Sequence, residues 1–395
     1  MKPVKKETII FTSSHLYLFW TTGVYYLWEL SNHYKIVLFV GKSYGKDHRF
    51  QSICKHLNIY KIIYYDDVAK GLLFYKDYYK ICRNLIYNFK PVKVYYYNFE
   101  WLENHLLACS TRQILTKCKN IVYQNAQVIT DDYDSLFMKI WEKKSAQLVK
   151  KYFIPLSVIR KVIILIRRMK FFYYNILGTL MIVGFIPKWR YNRTNINLFD
   201  EFYVYLDSES RLIKKSFELK NELYLANIKL KLIDHPVASY GKSCNRYLYR
   251  KLKKNNIVIM PSYLGLFSLE SDLDNLKKWI ELINIVLKLQ SNKIVHFKFH
   301  PNIKNNPQSK KITQYLVDNC PTLKIINPSE NAQELILQNE IIISDVSTVL
   351  WWASFLKNKK IISINFSNFE NSDAMKRYEH IHYVEDLRVL GQILK

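Results

Sequence analysis

Two clusters of polar side chains each follow an apolar, strand-like segment in the second half of the chain. The segment Lys293–Phe299 ends in His300-Pro301, and Glu340–Ile343 ends in Ser344-Asp-Val-Ser-Thr348. In an open α/β sheet, ligands bind at the edge formed by the carboxyl ends of parallel strands. An imidazole, several hydroxyls and the start of a following helix suit an anion, above all phosphate. The sequence therefore predicts that two neighbouring strand ends jointly bind a phosphate.

Other polar residues fall on the same predicted edge. Pro261-Ser262 ends the first strand of this half of the chain, and Lys298 directly precedes Phe299 and His300. Glu334 lies on the intervening helix, where its carboxylate could hold the hydroxyls of a ribose. The full predicted donor-binding set is Pro261, Ser262, Lys298, His300, Pro301, Asn327, Glu330, Glu334, Ser344, Ser347 and Thr348.

Each of these features also has a purely structural explanation. Ser347 and Thr348 are preferred helix N-caps, and Glu334 is favoured at a helix start by the helix dipole. An isolated His-Pro pair is commonly just an exposed strand end. We interpret a second such pair, His235-Pro236, as part of the turn-rich linker Asp234–Gly241. The combination of His300 with the Ser/Thr cluster favours the ligand-binding interpretation.

Strand-like and helix-like segments alternate along the chain, which predicts βαβ units and parallel sheets. The predicted fold class is α/β, with a Rossmann-like domain over residues 1–240 and another over 241–375. Residues 376–395 are expected to form a helical tail that packs on the first domain. No G-x-G-x-x-G is present, so dinucleotide binding of the usual kind is not expected. The predicted strands are 8–12, 35–40, 61–65, 92–97, 120–123, 201–206, 228–233, 256–260, 294–299, 323–326, 341–343 and 360–364.

Length, charge and cysteine usage narrow the class of protein. The chain has 395 residues and 49% hydrophobic content, which favour two folded domains over disorder. Its formal net charge of +26 favours polyanions such as nucleic acid, anionic lipid or acidic substrates, although codon bias towards Lys could account for part of it. Six cysteines occur without a Cys-x-x-Cys pair, so neither a zinc site nor a disulfide framework is expected. No secretory signal precedes the first strand, and we expect a cytoplasmic location.

The segment 145–195 is rich in Lys and Arg and contains no Asp or Glu. Within it, Phe171–Pro187 is an apolar stretch near the lower limit of the length that spans a bilayer, about 17 residues. Basic and apolar residues together favour an interfacial element on anionic lipid. A buried helix pair in the first domain and a true membrane span are the alternatives.

The two motifs resemble those of a group of bacterial surface-polysaccharide transferases. His300-Pro301 is similar to their HP motif, and Ser344–Thr348 is similar to their Ser-Ser/Thr motif. The group includes polysialyltransferases, capsule Kdo transferases and CDP-glycerol polymerases, and the likeness covers mainly residues 256–365. It implies a GT-B fold, in which two Rossmann-like domains face each other and the C-terminal one binds the donor. It also implies that His300 and Ser347 or Thr348 contact the donor phosphate, without a metal or cofactor.

Transfer of a sugar with inversion needs a base for the acceptor hydroxyl, and it should come from the first domain. Polysialyltransferases place an acidic pair there, but the matching Tyr123-Gln-Asn-Ala126 has no carboxylate. Asp131 and Asp132 are therefore the predicted catalytic residues, together with His300. Asp134, Glu100 and His15 are further candidates. The Asp cluster could instead bind a divalent metal or simply be a solvated loop.

Three functional hypotheses follow from the sequence. The first is an inverting glycosyltransferase that uses a nucleotide-activated sugar, for example a CMP-linked ulosonic acid. Its acceptor would be a capsule or lipopolysaccharide glycan, free or lipid-linked, at the anionic inner face of the bacterial plasma membrane. The second is transfer of a polyol phosphate from a CDP-linked donor by the same fold. The third is a nucleic-acid-binding protein, which the absence of RRM, KH and helix-turn-helix signatures disfavours, so we expect no nucleic-acid partner.

Overall fold

In a computed structural model, the chain forms two compact units. The described residues up to Pro236 belong to the first unit, and those from Val237 onward belong to the second. This division falls inside the turn-rich Asp234–Gly241 and close to the predicted boundary at residue 240. The described residues are 6–13, 16, 19–57, 59–66, 72–97, 102–124, 198–219, 228–238, 256–262, 272–345, 347–366 and 372–394.

The sheet of the first unit is parallel, and its inner strands are buried on both faces. Its strands are β1 (Thr8–Ser13), β2 (Lys35–Gly41), β3 (Lys61–Tyr65), β4 (Lys93–Tyr96), β5 (Lys119–Tyr123), β6 (Glu201–Val204) and β7 (Lys229–Leu232). They lie in the order β3-β2-β1-β4-β5-β6-β7. Consecutive residues Ile9, Ile10 and Phe11 of the central strand β1 are all fully buried. Continuous apolar runs of this kind are typical of strands that helices cover on both sides.

The helices of the first unit follow the strands as a βαβ pattern requires. In the described part of this unit the α-helices are α1 (Val24–Ser31), α2 (His48–His56), α3 (Leu72–Phe89), α4 (Leu102–Ile114) and α5 (Asp207–Leu219). Asp47 caps α2, since its carboxylate accepts hydrogen bonds from the amides of Arg49 at 2.8 Å and Phe50 at 3.0 Å. The sequence did not indicate α4. Its Ser110 and Thr111 hydroxyls donate to the backbone carbonyls four residues earlier. Because Ser and Thr side chains can compete for backbone hydrogen bonds, they are weak predictors of a helix interior.

The second unit contains a second parallel sheet. Its strands are β8 (Asn256–Ile259), β9 (Ile294–Lys298), β10 (Lys324–Ile326), β11 (Ile341–Ser344), β12 (Lys360–Ile364) and β13 (Ile381–Val384). They lie in the order β10-β9-β8-β11-β12-β13, which is the doubly wound order of a Rossmann fold. The predicted α/β class with two parallel sheets is confirmed.

Five helices and one dense apolar core complete the described part of the second unit. The helices are α6 (Asp272–Leu289), α7 (Ser309–Asn319), α8 (Ala332–Gln338), α9 (Thr348–Ala353) and α10 (Leu387–Leu394). Trp279, Leu282 and Val286 form the predicted apolar face of α6, and all three are fully buried. The Trp279 ring lies edge-on to Phe366 at a centroid distance of 5.0 Å.

The C-terminal tail is built into the second unit. We expected residues 376–395 to be helical and to pack on the first domain, but Ile381–Val384 forms β13 and pairs in parallel with β12. Leu390 and Leu394 of α10 are buried in the core of the second unit. Lys360 and Gln290 donate hydrogen bonds to the Ile393 and Leu394 carbonyls at the end of α10. The tail therefore closes one edge of the second sheet.

A pair of substitutions in α10 tests this placement. Leu390→Ala removes a fully buried side chain, so we expect the free energy of unfolding to fall by about 2–5 kcal/mol. Val389→Ala is the matched control, because Val389 is 44% exposed and should cost no more than about 0.5 kcal/mol. Urea denaturation followed by tryptophan fluorescence measures both. Equal costs for the two variants would contradict the packing of this helix.

Candidate functional site

The carboxyl edge of the second sheet carries the predicted donor-binding residues. Strands β10, β9, β8 and β11 are neighbours in that order, and the strand order changes direction between β8 and β11. Open α/β sheets bind ligands in the crevice at this switch point. One expectation needs correction, because β8 lies between β9 and β11. The strand ends that carry His300 and Ser347 are therefore about 10 Å apart rather than adjacent.

Lys298 is a buried cation at the end of β9. Residues Val295, Phe297 and Phe299 face the apolar core, so the alternation of the strand directs Lys298 to the other face. Only 4% of Lys298 is exposed, and its ammonium donates to the Phe299 carbonyl at 3.3 Å. Burial lowers the pKa of Lys298 to about 8, and the nearby Glu330 carboxylate partly opposes that shift. An anionic ligand at this edge would stabilise the charged form of the ammonium.

His300 lies two residues after Lys298, where the strand meets a 3-10 turn formed by Pro301–Asn305. The Ile303 amide donates to the His300 carbonyl at 3.0 Å, which fixes the backbone of this turn. Burial, and secondly the Lys298 charge, lowers the pKa of His300 to about 4. The ring is therefore neutral at physiological pH and has one N–H group with which to donate a hydrogen bond.

Asp345 joins the two strands that flank the switch point. Its carboxylate accepts hydrogen bonds from the Ser262 amide at 2.7 Å and the Ser262 hydroxyl at 2.5 Å. Ser262 follows β8 and Asp345 follows β11, so this bridge holds the two loops at a fixed separation. Asp345 is only 7% exposed, and burial raises its pKa to about 6 even though the hydrogen bonds from Ser262 oppose the shift. The sequence did not single out Asp345, although an Asp directly after a buried strand is a usable signal.

The Ser/Thr cluster divides into a buried part and a part at the edge. Ser344 is fully buried, and its hydroxyl donates to the Met260 carbonyl of the neighbouring segment, which places it within the sheet. Ser347 caps α9, since its hydroxyl accepts from the Val349 amide at 3.2 Å. Ser347 and Thr348 are both partly exposed. Ser347 therefore forms the helix N-cap that was the purely structural explanation for it, and this cap lies at the predicted sheet edge.

The loop after β10 is a tight turn at one side of the site. The Glu330 amide donates to the Asn327 carbonyl at 2.9 Å, and the Asn327 side chain accepts from the Ser329 amide. Asn331 caps α8 by accepting from the amides of Gln333 and Glu334. Glu334 therefore lies in the first turn of α8, as predicted, and its side chain is partly exposed. Pro261 is buried beside Ser262 at the end of β8.

Several predicted features lie outside the described residues. Asp131, Asp132, Asp134, Glu100 and His15 are among them, as is the basic-apolar segment 145–195. The predicted catalytic base therefore stays a prediction. Within the described ranges, no three His, Cys, Asp or Glu side chains are arranged to hold a metal ion. No helix in that part of the chain is both long and apolar enough to cross a membrane.

The carboxyl edge of the first sheet holds a buried polar network that sequence reasoning missed. Gln124 follows β5, and its side-chain amide donates to the Glu209 carboxylate of α5 at 2.9 Å. The Tyr205 hydroxyl donates to the Gln124 carbonyl and accepts a hydrogen bond from the Tyr26 hydroxyl, both at 2.9 Å. Glu209 is fully buried and Gln124 is 4% exposed. A carboxylate thus reaches the position after β5 from a distant part of the sequence, which no local pattern reveals.

His235 belongs to the core of the first unit and not to an exposed linker. It is 2% exposed, and its ring lies 4.4 Å from the Tyr205 ring centroid. Burial lowers the pKa of His235 to about 3. The two His-Pro pairs of the chain therefore differ, since His235 is sealed in a core and His300 lies at a sheet edge.

Comparisons with known proteins agree on the fold. No protein-family model matches the sequence, and no curated protein matches it as a relative. Similar solved structures include the UDP-GlcNAc 2-epimerase of Methanocaldococcus jannaschii, with 13% identity, a TM-score of 0.55, and coverage of 99% of this chain and 92% of that one.

A second similar structure is the Neisseria meningitidis UDP-GlcNAc 2-epimerase bound to UDP-GlcNAc, with 12% identity, a TM-score of 0.55, and coverage of 98% and 90%. A third is S. aureus MnaA with UDP, with 10% identity, a TM-score of 0.50, and coverage of 98% and 87%. At such low identity the likeness shows the fold alone. With the strand order of both sheets, it confirms the predicted GT-B class of two Rossmann-like domains.

The raised pKa of Asp345 leads to a pH-dependent stability difference. Between its ordinary pKa of 3.8 and about 6, the folded protein binds this proton more tightly than the unfolded chain does. The contribution of Asp345 to stability therefore falls as pH rises through that window, by roughly 3 kcal/mol. Asp345→Asn cannot ionise, so its melting temperature relative to the wild type should rise from pH 4 to pH 6.5. Asp318→Asn, on an exposed face of α7, is the control. The expectation is refuted if the melting temperature of Asp345→Asn varies with pH in parallel with that of the wild type.

Proposed function

We propose that this chain is an enzyme that uses a nucleotide-activated sugar and transfers the sugar to a glycan acceptor. The observation that carries the proposal is the cluster of Lys298, His300 and the Asp345–Ser262 bridge at the switch point of the second sheet. A buried cation and a neutral N–H donor at this edge suit the phosphate of a nucleotide. The GT-B fold, which solved nucleotide-sugar enzymes share with this chain, supports the proposal.

The proposed roles follow from the charges and positions. Lys298 neutralises the charge that develops on the departing phosphate, and the neutral His300 ring donates a hydrogen bond to a phosphate oxygen. Ser347 or Thr348 binds the same phosphate group from the β11 side. Asn327, Glu330 and Glu334, on the β10 side, are proposed to bind the base and the ribose. Asp345 is a positioning residue, because its carboxylate is occupied by Ser262.

In the proposed step, an acceptor hydroxyl oxygen forms a bond to the anomeric carbon as the bond from that carbon to the phosphate oxygen breaks. The electron pair of the broken bond stays with the nucleotide phosphate. The hydroxyl proton passes to a carboxylate of the first domain, for which Asp131 and Asp132 remain our candidates. Attack opposite to the leaving group inverts the configuration.

The donor and the acceptor belong to the proposal. The sequence motifs favour a CMP-linked ulosonic acid, whereas two of the structures with the same fold hold UDP-GlcNAc or UDP. We propose a capsule or lipopolysaccharide glycan as the acceptor, held at the inner face of the plasma membrane. The basic composition of residues 145–195 supports that location. The alternative is transfer of a polyol phosphate from a CDP-linked donor, which would use the same binding residues.

Epimerisation of the donor sugar is a second candidate function, which the 2-epimerase neighbours favour. It consumes no acceptor, whereas transfer does. Incubating the enzyme with a nucleotide sugar alone therefore separates the two, because an epimerase changes the sugar at C2 without releasing nucleotide. Product masses with an acceptor present distinguish a transferred sugar from a transferred polyol phosphate.

A nucleotide panel identifies the donor class. The nucleotide of the true donor should raise the melting temperature of the full chain, because a ligand that binds only the folded state stabilises it. At 100 times its Kd the stabilisation is about 2.7 kcal/mol. Thermal shifts with CMP, CDP, UDP and GDP measure this. If none of the four shifts the transition at millimolar concentration, the nucleotide-sugar proposal fails.

Substitution of His300 tests the site itself. His300→Ala removes the hydrogen-bond donor and should lower turnover of the donor about 100-fold, with a smaller loss for His300→Gln, which keeps an N–H group. His382→Ala is the control, because His382 is exposed on the edge strand β13. Turnover is followed by release of the nucleotide. Wild-type turnover by His300→Ala would exclude this residue from the chemistry.

A further inference from the structure

A cleft of about 630 Å³ opens at the amino-terminal edge of the first sheet. Thr8 and Lys35, the first residues of β1 and β2, lie in its wall. The carboxyl edge of the same strands is about 20 Å away, since β1 is six residues long. The cleft is therefore separate from any chemistry at the carboxyl edges. Its volume is in the range of sites for small molecules, about 300–1,000 Å³.

The charge of this cleft is positive. Lys6, Lys35 and His56 line it, and no Asp or Glu is among its lining residues. Lys93 lies beside it, where its ammonium donates to the Tyr34 hydroxyl at 2.8 Å. Several ammonium groups around one concave surface favour an anionic ligand, because a low-dielectric wall strengthens their field.

Aromatic rings stand among these cations. Trp28, Tyr34 and Tyr60 line the cleft, and the Lys35 ammonium lies 3.5 Å from the centroid of the Tyr60 ring. This cation–π contact holds the ammonium against a ring that is 51% exposed. An exposed aromatic face packs against the C–H face of a sugar ring, while a neighbouring cation binds a carboxylate or phosphate on the same ring.

Polar groups lie at the rim between the rings. Ser31 and Asn32 follow Trp28 on α1 and the turn after it, and both line the cleft. Their side chains donate to the Trp28 carbonyl at 2.8 Å and 3.3 Å, and the Lys6 ammonium donates to the Ser31 carbonyl at 3.2 Å. Hydroxyl and amide oxygens fixed in this way can accept hydrogen bonds from ligand hydroxyls. Rings, cations and short polar side chains together match an acidic saccharide better than a purely apolar ligand.

We propose that this cleft is a second binding site, which takes an anionic saccharide whose ring carries a carboxylate or a phosphate. Lys6 and Lys35 bind the acidic group, and Tyr60 packs against the sugar ring. The site does not depend on the function proposed above, because binding at the amino-terminal edge requires no donor and no turnover.

Direct binding to the full chain tests this proposal. The probes are a galacturonic acid trimer, the uncharged galactose trimer, glucose 6-phosphate and inorganic phosphate, titrated by calorimetry or by NMR at low ionic strength. We expect both acidic sugars to bind, and the neutral trimer to bind at least tenfold more weakly. The double variant Lys6→Gln/Lys35→Gln should lose at least tenfold in affinity, and Tyr60→Ala should lose affinity for the sugars but not for inorganic phosphate.

Matched controls separate this site from overall charge and from the proposed active site. Lys55→Gln removes an exposed cation on α2 that does not line the cleft, so it should bind the acidic trimer as the wild type does. His300→Ala should also bind it normally. The proposal is overturned if neither acidic sugar binds, if Lys55→Gln weakens binding as much as the double variant, or if single-stranded RNA displaces the acidic trimer at equal phosphate and carboxylate concentration.

Discussion

The hydrogen bonds between the Asp345 carboxylate and Ser262 are the interaction on which the candidate site depends. They join the loops after β8 and β11, the two strands between which the sheet reverses its order. Burial disfavours the charge on Asp345, and two short hydrogen bonds favour it, so the carboxylate is stable there only while Ser262 stays in place. Burial outweighs the hydrogen bonds in its effect on the pKa of Asp345, and the same contact links the two loops at the switch point.

The same edge concentrates other groups that are costly to bury. Lys298 is an almost fully buried ammonium, and His300 is kept neutral by burial and by that ammonium. Clusters of titratable groups with displaced pKa values are frequent at functional sites, because a ligand of opposite charge offsets the cost of desolvation. Lys298 and Asp345, which are less than 9% exposed, thus both lie where a parallel sheet naturally binds ligands.

The first unit repeats the strand order but uses its edges differently. At its carboxyl edge, tyrosines and the Gln124–Glu209 pair form buried hydrogen bonds. At its amino-terminal edge, Lys6 and Lys35 lie around an open cleft with the exposed Tyr60 and the partly exposed Trp28 and Tyr34. Two of the basic residues of the chain therefore lie on a concave surface.

The sequence by itself determined strands β1 to β12, the helix α6 and the fold class, because buried parallel strands are continuous apolar runs and α6 has a clear apolar face with a period of 3.6 residues. Strands β3 and β12 match their predicted bounds for this reason. It also placed His300, Ser262 and Ser347 at strand ends, since that is a local property. Strand β13 was missed because its sequence, Ile-His-Tyr-Val, is short and polar in the middle, as an edge strand allows. Only the tertiary structure decided that β8 separates β9 from β11, that Asp345 reaches Ser262, that Glu209 reaches Gln124 and that His235 is buried. These contacts join residues that are far apart in the chain, and strand order is set by how the whole sheet packs rather than by any local pattern.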